Sequence, residues 1–230
     1  MVRKRKMTKK IFFAKSAEVT TTPSPVLGLM KKNFLVIFIG SILIVLSIGG
    51  FFLWNYNNKK NEEKASTLFY QAYRAYKTSK EKDQPVEEPM ELFRSITIQY
   101  PRTSAGALSF FYLGNCQFAL KKNDESINAY NNFLKSFSSQ PQLAILAYDN
   151  LGYCFEEKKD YQKALEYFQK TINPHPGLGE GGYLNVARCL EALGDKKGSL
   201  DIYKKFLLHY PDSPSKGFVQ GKIQTIERKK

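Results

Sequence analysis

The chain has 230 residues, of which 43% are hydrophobic and 14% aromatic, and this composition excludes a wholly disordered polymer. Three cysteines are too few for a disulfide-stapled small domain, and two histidines without a Cys-x-x-Cys pair do not form a zinc-module pattern. The formal net charge of +14 is unevenly spread, because residues 1–33 hold nine Lys or Arg against one Glu.

The first predicted element is an uncharged run at residues 34–54, which reads FLVIFIGSILIVLSIGGFFLW. As a helix it would be about 31 Å long, close to the roughly 30 Å hydrocarbon core of a bilayer. Lys31 and Lys32 precede the run, and aromatic residues end it, as is typical of the two interfaces of a transmembrane helix. These features predict a transmembrane helix at 34–54.

A cleaved signal peptide is the alternative interpretation of this segment. Its apolar core would be about 7–15 residues long and would lead into small residues at a cleavage site. Here the run is longer and ends in Phe51, Phe52 and Trp54. We therefore predict an uncleaved, single-pass anchor.

The basic tail at 1–33 indicates the orientation of this anchor. Lys and Arg are retained on the cytoplasmic side, so we expect the N terminus in the cytoplasm and the rest of the chain outside the bacterial cytoplasmic (inner) membrane. The opposite orientation stays open, because residues 55–74 also hold four basic side chains and unpaired cysteines suit a reducing compartment. The tail lacks the interleaved aromatic residues of a nucleic-acid-binding segment, so no nucleic-acid partner is predicted.

A short polar stretch at 55–61 is predicted to link the anchor to a self-similar region at 62–213. The clearest unit is counted from Ile145 as position 1. Its signature residues at positions 4, 7, 8, 11, 20, 24 and 32 are Tyr148, Leu151, Gly152, Phe155, Ala164, Phe168 and Pro176.

Further copies of this unit flank it on both sides. The unit counted from Glu180 has Ala187, Tyr203 and Pro211 at positions 8, 24 and 32. The unit counted from Ala107 has Leu113 and Gly114 at positions 7 and 8. A degenerate first unit has Leu68, Ala72 and Ala75 on one helix and Phe93 and Ile96 on a second, with a long charged loop around 79–89 between them.

The pattern has a direct physical interpretation. Small residues at positions 8 and 20 let the two helices of a hairpin approach closely, while large apolar residues fill the space between neighbouring hairpins. Proline near position 32 ends the second helix, and Asp124, Asp160 and Asp195 are predicted N-caps of second helices. The tail at 214–230 predicts a half-polar capping helix, with apolar spacing at Phe218, Val219, Ile223 and Ile226.

The spacing resembles the tetratricopeptide repeat (TPR) pattern over about residues 62–213. This resemblance implies an all-α fold, in which the single N-terminal transmembrane helix is followed by a solenoid of about three to four helical hairpins and a C-terminal capping helix. Tyr-Pro units at Tyr100 and Tyr210, each with a Ser close behind, resemble the repeat ends of bacterial envelope TPR families. The whole layout resembles the ancillary SecYEG translocon subunit family, which implies a chaperone-like role beside a protein-export channel.

TPR stacks bind partners in a concave groove lined by the first helix of each hairpin. Carried onto this chain, the resemblance implies a groove lined by Phe111, Asn115, Phe118, Asp149, Tyr153, Glu156, Leu184, Arg188 and Glu191. Such a mixture of aromatic and charged groups suits an extended peptide or the tail of a partner, although the same residues would also suit an ordinary solvated helix face. The carboxylate-gripping clamp of one TPR subclass is not predicted, because Phe111, Gly181 and Asn185 occupy its basic positions.

No pattern in the sequence points to an enzyme, a cofactor or a metal site. Cys116, Cys154 and Cys189 all fall at position 10 of their units, where adjacent repeats lie roughly 10 Å apart and beyond disulfide reach. We therefore interpret them as small packing residues. Glu62 and Glu63 are interpreted as exposed helix charges, and neither His175 nor His209 has an evident catalytic partner.

The sequence predicts a membrane-anchored TPR scaffold that binds other proteins, as an accessory to protein export or envelope assembly. A cytoplasm-facing TPR adaptor tethered to a membrane is the alternative. A membrane enzyme with a TPR appendage would need a catalytic constellation, and the sequence has none that we recognise.

Overall fold

The computed structural model describes residues 34–172 and 179–228. Throughout these residues the regular structure is helical, without strands. The helices are α1 (Phe34–Glu81), α2 (Glu87–Gln99), α3 (Ser104–Ala119), α4 (Asn123–Phe137), α5 (Pro141–Glu157), α6 (Tyr161–Gln169), α7 (Glu180–Ala192), α8 (Lys196–His209) and α9 (Lys216–Arg228). The basic tail at 1–33, Pro176 and His175 lie outside the described residues.

The part of α1 within residues 34–54 belongs to the first of two compact units, which divide at Trp54 and Asn55. Within Phe38–Glu81, α1 contains an 18-residue stretch apolar enough to cross a membrane, with a mean hydropathy of 1.9 and none of that stretch buried. Val45 and Leu46 are about two-thirds exposed, a surface that water disfavours and hydrocarbon accepts. The Ser41 and Ser47 hydroxyls donate to carbonyls of their own helix, both at 2.7 Å, so neither hydroxyl is left without an acceptor.

The second unit covers residues 55–230 and contains the helical hairpins. Residues 55–61, predicted as a polar linker, are helical and belong to α1. The reason is composition, since this stretch has no Gly or Pro and leads into the helix-favouring run Glu62–Ala65. The loop of the first hairpin is also shorter than expected, because α1 extends to Glu81 and α2 begins at Glu87.

The hairpins pair a small residue on the first helix with an aromatic ring on the second. A Cβ added to Gly152 would lie 2.4 Å from Cε1 of Phe168, and one added to Gly114 would lie 2.7 Å from Cε1 of Tyr130. Phe168 and Tyr130 are at most 1% exposed. The other signature residues Leu113, Leu151, Ala164, Ala187 and Tyr203 are also buried, whereas Tyr148 and Phe155 are half-buried and Pro211 is exposed.

The turn between the two helices of each of the last three hairpins contains a residue with left-handed backbone conformation at the same repeat position. Lys121, Lys159 and Gly194 have φ of 59°, 61° and 80°, and each lies seven residues after the small position-8 residue. Left-handed backbone costs a residue with a Cβ about 1–2 kcal/mol, so only Gly194 adopts it without strain. The amide nitrogen of the next residue bonds back to a carbonyl of the first helix in all three turns.

Two of the three predicted N-caps are confirmed. Asp160 accepts from the Lys163 amide at 3.2 Å, and Asp195 accepts from the Gly198 amide at 2.8 Å. The prediction for Asp124 is wrong, because Lys122 occupies the equivalent position and Asp124 lies inside the first turn of α4. The Asp124 carboxylate instead pairs with Lys158 of the next repeat.

The start of α3 is capped from two directions. Thr103 accepts from the Gly106 amide at 2.9 Å, as an N-cap does. Glu62 of α1 accepts from the amides of Ser104 at 2.9 Å and Ala105 at 3.2 Å. The interpretation of Glu62 as an exposed helix charge is therefore wrong, because this carboxylate satisfies amide donors that α3 leaves unpaired.

The capping helix α9 closes the stack with Val219 and Ile226 buried and Ile223 half-buried. Phe218 departs from the predicted apolar face, since 58% of it is exposed. Its ring instead lies beside the Lys222 ammonium, which is 5.8 Å from the ring centroid.

The close approach at Gly152 can be tested with Gly152→Ala. Alanine gains about 1 kcal/mol of helix propensity over glycine, but its Cβ would displace the buried Phe168 ring, so we expect a net loss of about 1–3 kcal/mol in the free energy of unfolding. Urea unfolding of the full-length protein in detergent, followed by circular dichroism, measures this.

Gly221→Ala is the matched control, because a Cβ there meets nothing within 4 Å. It should stabilise the protein by up to about 1 kcal/mol. Equal effects of the two substitutions would contradict the packing role of Gly152.

Candidate functional site

The nine predicted groove residues lie on the first helices of three successive hairpins, α3, α5 and α7. Eight of them are half-buried, and the exception, Arg188, is exposed. The structure therefore places all nine on equivalent helices. It also shows that most of them already contact one another or the core.

The polar residues of neighbouring first helices form pairs. Asn150 of α5 donates to Oδ1 of Asn115 on α3 at 3.2 Å, and Tyr130 donates to the same oxygen at 2.8 Å. One step along the stack, Asn185 of α7 donates to the Tyr153 hydroxyl of α5 at 3.0 Å. These bonds connect adjacent repeats across the predicted groove.

The strongest pair joins Arg188 and Glu156. The guanidinium donates from Nε and Nη2 to the two carboxylate oxygens, both at 2.7 Å, which is the bidentate geometry of a charge-assisted pair. The same guanidinium lies 5.9 Å from the ring centroids of Tyr153 and Phe168. These hydrogen bonds to Glu156 raise the pKa of Arg188 further, so its guanidinium is charged at any physiological pH.

The last pair along the stack involves Glu191. Its carboxylate accepts from the Tyr203 hydroxyl at 2.6 Å and from the Lys222 ammonium of α9 at 3.0 Å. Burial, together with the Glu191 carboxylate, raises the pKa of Tyr203 well above its ordinary value, so this hydroxyl stays a donor.

The apolar groove residues serve the core as well as the surface. The Phe111 ring lies 5.3 Å from the Phe133 centroid and 5.8 Å from that of Tyr130. Leu184 packs on the C-terminal hydrophobic cluster around Tyr203. Phe118 packs on the cluster of the second hairpin and also lies 6.0 Å from the Lys121 ammonium.

Asp149 is a groove carboxylate with an unsatisfied, buried oxygen. Among the described residues no donor lies within hydrogen-bond distance of its buried Oδ1. Burial raises its pKa, although the neighbouring polar groups of Thr171 and Asn185 act in the opposite direction. An ionised carboxylate here is therefore held at a cost.

An open cavity lies between the first helices of the first two hairpins, where no groove residue other than Asn115 was predicted. It has a volume of about 390 Å³ and is lined by Tyr73, Tyr76, Lys77, Lys80, Glu81, Tyr112 and Asn115. A signal in the sequence could have found it. With the buried Ala72 as position 8 of the first unit, Tyr73 and Tyr76 fall at positions 9 and 12, which are groove positions.

The three cysteines are buried and form no disulfide, as expected for packing residues. Burial raises the pKa of Cys116 to about 12 and that of Cys189 to about 11, so neither thiol is a nucleophile at neutral pH. In residues 34–172 and 179–228 no group of three His, Cys, Asp or Glu is placed to hold a metal ion.

Comparisons with known proteins identify the family. Residues 29–175 match the model of the tetratricopeptide repeat-like domain, and residues 182–213 match the tetratricopeptide repeat. Because the first match covers more than half of the chain, the protein belongs to the tetratricopeptide repeat-like family, whose members are generally non-catalytic scaffolds for protein–protein interaction. No curated protein matches the sequence.

Solved structures share the fold at low sequence identity. The apo form of RapI is 15% identical with a TM-score of 0.60, over 72% of this chain and 64% of that one. The MamA protein is 20% identical with a TM-score of 0.53, over 64% and 73% of the two chains. A putative kinesin light chain with TPR-like repeats from Podosopora anserina is 14% identical with a TM-score of 0.57, over 72% and 86%. This chain thus spans under two-thirds of RapI, and identities this low show the fold alone.

The position of Asp149 predicts a pH-dependent gain of stability on Asp149→Asn. When burial raises the pKa of a carboxyl group in the folded protein, the folded protein loses stability as pH rises from the ordinary pKa, about 3.9, through the folded pKa, because the buried group must ionise. The variant should therefore be more stable than the wild type at pH 7, and the difference should shrink below about pH 4. Urea unfolding at both pH values measures it.

Asp201→Asn is the control, because Asp201 is exposed on α8. It should change the free energy of unfolding by less than about 0.5 kcal/mol at either pH. Loss of stability in Asp149→Asn at pH 7 would show instead that the ionised carboxylate is well satisfied.

Proposed function

We propose that this protein is a membrane-anchored TPR scaffold that binds other proteins at the outer face of the bacterial cytoplasmic membrane. In this role it serves as a chaperone-like accessory to protein export or envelope assembly. The observation that carries the proposal is the combination, in one chain, of an uncharged apolar helix segment at 34–54, whose large side chains from Phe38 onward are exposed, and a stack of TPR hairpins.

The apolar segment supports membrane anchoring through its surface. Its large side chains from Ile39 to Trp54 are between 43% and 67% exposed. Burying this surface in hydrocarbon is favourable at about 25 cal/mol per Å². The nine basic side chains of residues 1–33 support an N terminus in the cytoplasm and hairpins on the outer side.

The mechanism we propose is positional. TPR stacks bind segments of other proteins, and an anchor confines this binding face to the membrane surface. Confinement raises the effective concentration of the face for partners that are themselves in or near the membrane, without any additional contact. The resemblance of the layout to the ancillary SecYEG translocon subunit family favours partners at the export channel or among envelope-assembly components.

Protease accessibility tests the orientation. A membrane-impermeant protease is applied to spheroplasts, and the products are probed with an antibody to the C terminus. We expect the hairpins to be digested in intact spheroplasts because they face outward. Protection until the membrane is lysed would overturn the export role and support the cytoplasm-facing adaptor instead.

Removal of residues 1–54 tests the role of the anchor. We expect the remaining chain to be soluble and helical, since it forms its own compact unit with its own buried clusters. Partner capture in cells should fall, because the effective concentration at the membrane is lost. Co-purification after cross-linking in cells measures capture, and undiminished capture by the truncated chain would contradict the positional mechanism.

A further inference from the structure

The cavity between the first two hairpins has walls made of aromatic rings. We call it the tyrosine pocket and define it by Tyr73, Tyr76 and Tyr112, with Lys80 at its edge. The Tyr112 centroid lies 5.3 Å from that of Tyr73 and 5.5 Å from that of Tyr76, both close to perpendicular. All of these residues belong to the second compact unit.

The pocket is rigid at its base. Tyr112 stacks on the fully buried Phe93 ring, with centroids 5.3 Å apart and an interplanar angle of 18°. It also contacts Phe69 edge-to-face at 5.6 Å. Because these rings are held by the core, the pocket is preformed and a ligand need not order it on binding.

Three hydrogen-bond donors at the pocket have no acceptor among the described residues. Among the described residues, the hydroxyls of Tyr73 and Tyr112 have no hydrogen-bond partner, and the Lys80 ammonium has no ion pair. Burial raises the pKa of Tyr112, which keeps its hydroxyl protonated and able to donate. Glu81, the carboxylate in the lining, lies 3.6 Å from Lys77, so Lys80 keeps its charge uncompensated.

The rest of the binding face contrasts with this pocket. Arg188 is bound to Glu156, and Lys222 to Glu191, so these charges already have partners within the stack. A ligand that bound there would have to break a pair before making a new one. The tyrosine pocket needs no such exchange, since among the described residues its Lys80 ammonium and its Tyr73 and Tyr112 hydroxyls have no partner.

From this geometry we propose that the tyrosine pocket binds an acidic peptide segment of a partner protein, with an Asp or Glu at Lys80 and a neighbouring large apolar side chain between the tyrosine rings. The carboxylate complements a site that offers donors and a net positive charge. The apolar neighbour complements the ring walls, and about 390 Å³ lies within the range of pockets that hold groups of this size. The inference rests on the proposed function, because it names what the scaffold would recognise.

A selection experiment tests the chemistry of the occupant. A displayed library of random dodecapeptides is selected on the full-length protein in detergent micelles. The same selection is run on Lys80→Glu and on Lys205→Glu, an exposed lysine of α8 that carries the identical charge change away from the pocket. Circular dichroism confirms that each variant retains its helices.

We expect acidic residues beside an aromatic or long aliphatic residue to be enriched on the wild type and on Lys205→Glu but not on Lys80→Glu. A synthetic copy of a selected peptide should bind at least about tenfold more weakly to Lys80→Glu, since a charge-assisted hydrogen bond is lost. The double variant Tyr73→Phe, Tyr112→Phe keeps the rings and removes the hydroxyls, and should also weaken binding. Absence of acidic enrichment, or equal enrichment on Lys80→Glu, would overturn the proposal.

Photo-cross-linking tests the location. The selected peptide is synthesised with benzoylphenylalanine in place of its apolar residue, and cross-linked sites are mapped by mass spectrometry. Cross-links should fall within 65–81 or 104–119. Cross-links confined to α5, α7 or α9 would overturn the tyrosine pocket as the site. Amidation of the peptide C terminus should not change binding, and loss of binding on amidation would show recognition of a terminal carboxylate instead.

Failure of this inference can be told apart from failure of the proposed function. If Lys80→Glu captures in cells the same partners as the wild type, while removal of residues 1–54 weakens capture, the scaffold stands and the pocket inference falls. If removal of residues 1–54 leaves capture unchanged, the positional function falls whatever the peptide result.

Discussion

The fold depends on the close approach of a small residue on one helix to an aromatic ring on the next. Gly152 lies against Phe168 and Gly114 against Tyr130, while Ala187 and Tyr203 take the equivalent positions in the C-terminal core cluster. The contact sets the distance between the two helices of a hairpin, because a Cβ at either glycine would overlap the ring. With that distance set, the large residues at the other signature positions fill the space between hairpins.

Tight hairpins bring the first helices of successive repeats within hydrogen-bond reach of one another. The consequence is a series of inter-repeat pairs, from Asn115 with Asn150 to Glu156 with Arg188 and Glu191 with Lys222. These pairs lie where a TPR scaffold would receive its partner. They reduce the charge that this part of the face offers, and so increase the relative importance of the tyrosine pocket between the first two hairpins, where Lys80 and the hydroxyls of Tyr73 and Tyr112 have no partners among the described residues.

The apolar segment obeys a different constraint. Inside the hairpin unit, four clusters of apolar side chains are buried between helices, whereas the large apolar side chains of residues 38–54 are exposed. Protein packing accounts for the first set and a bilayer would account for the second. A chain that contains both surfaces is suited to holding a binding scaffold at a membrane, and that relation underlies the proposed function.

Much of the fold could be predicted from the sequence because its determinants are local or periodic. The run at 34–54, the spacing of Gly152, Ala164 and Phe168, and the caps at Asp160 and Asp195 depend on residue types at short, regular intervals. The errors arose where a residue acts across repeats. Asp124 lies two residues past the cap position and pairs with Lys158, and Glu62 caps a helix that begins 42 residues later in the chain.

The candidate site divides along the same line. The repeat pattern by itself determined on which helices the nine predicted groove residues lie, since a fixed period assigns every position. Only the tertiary structure decided which of those residues already form hydrogen bonds or ion pairs with one another, and which hydrogen-bond donors have no partner among the described residues. Arg188 and Glu156 are 32 residues apart, and Lys80 and Tyr112 come from different hairpins, so no local pattern encodes their contacts. Such pairings depend on the distance and angle between stacked helices, which follow from how whole side chains pack together.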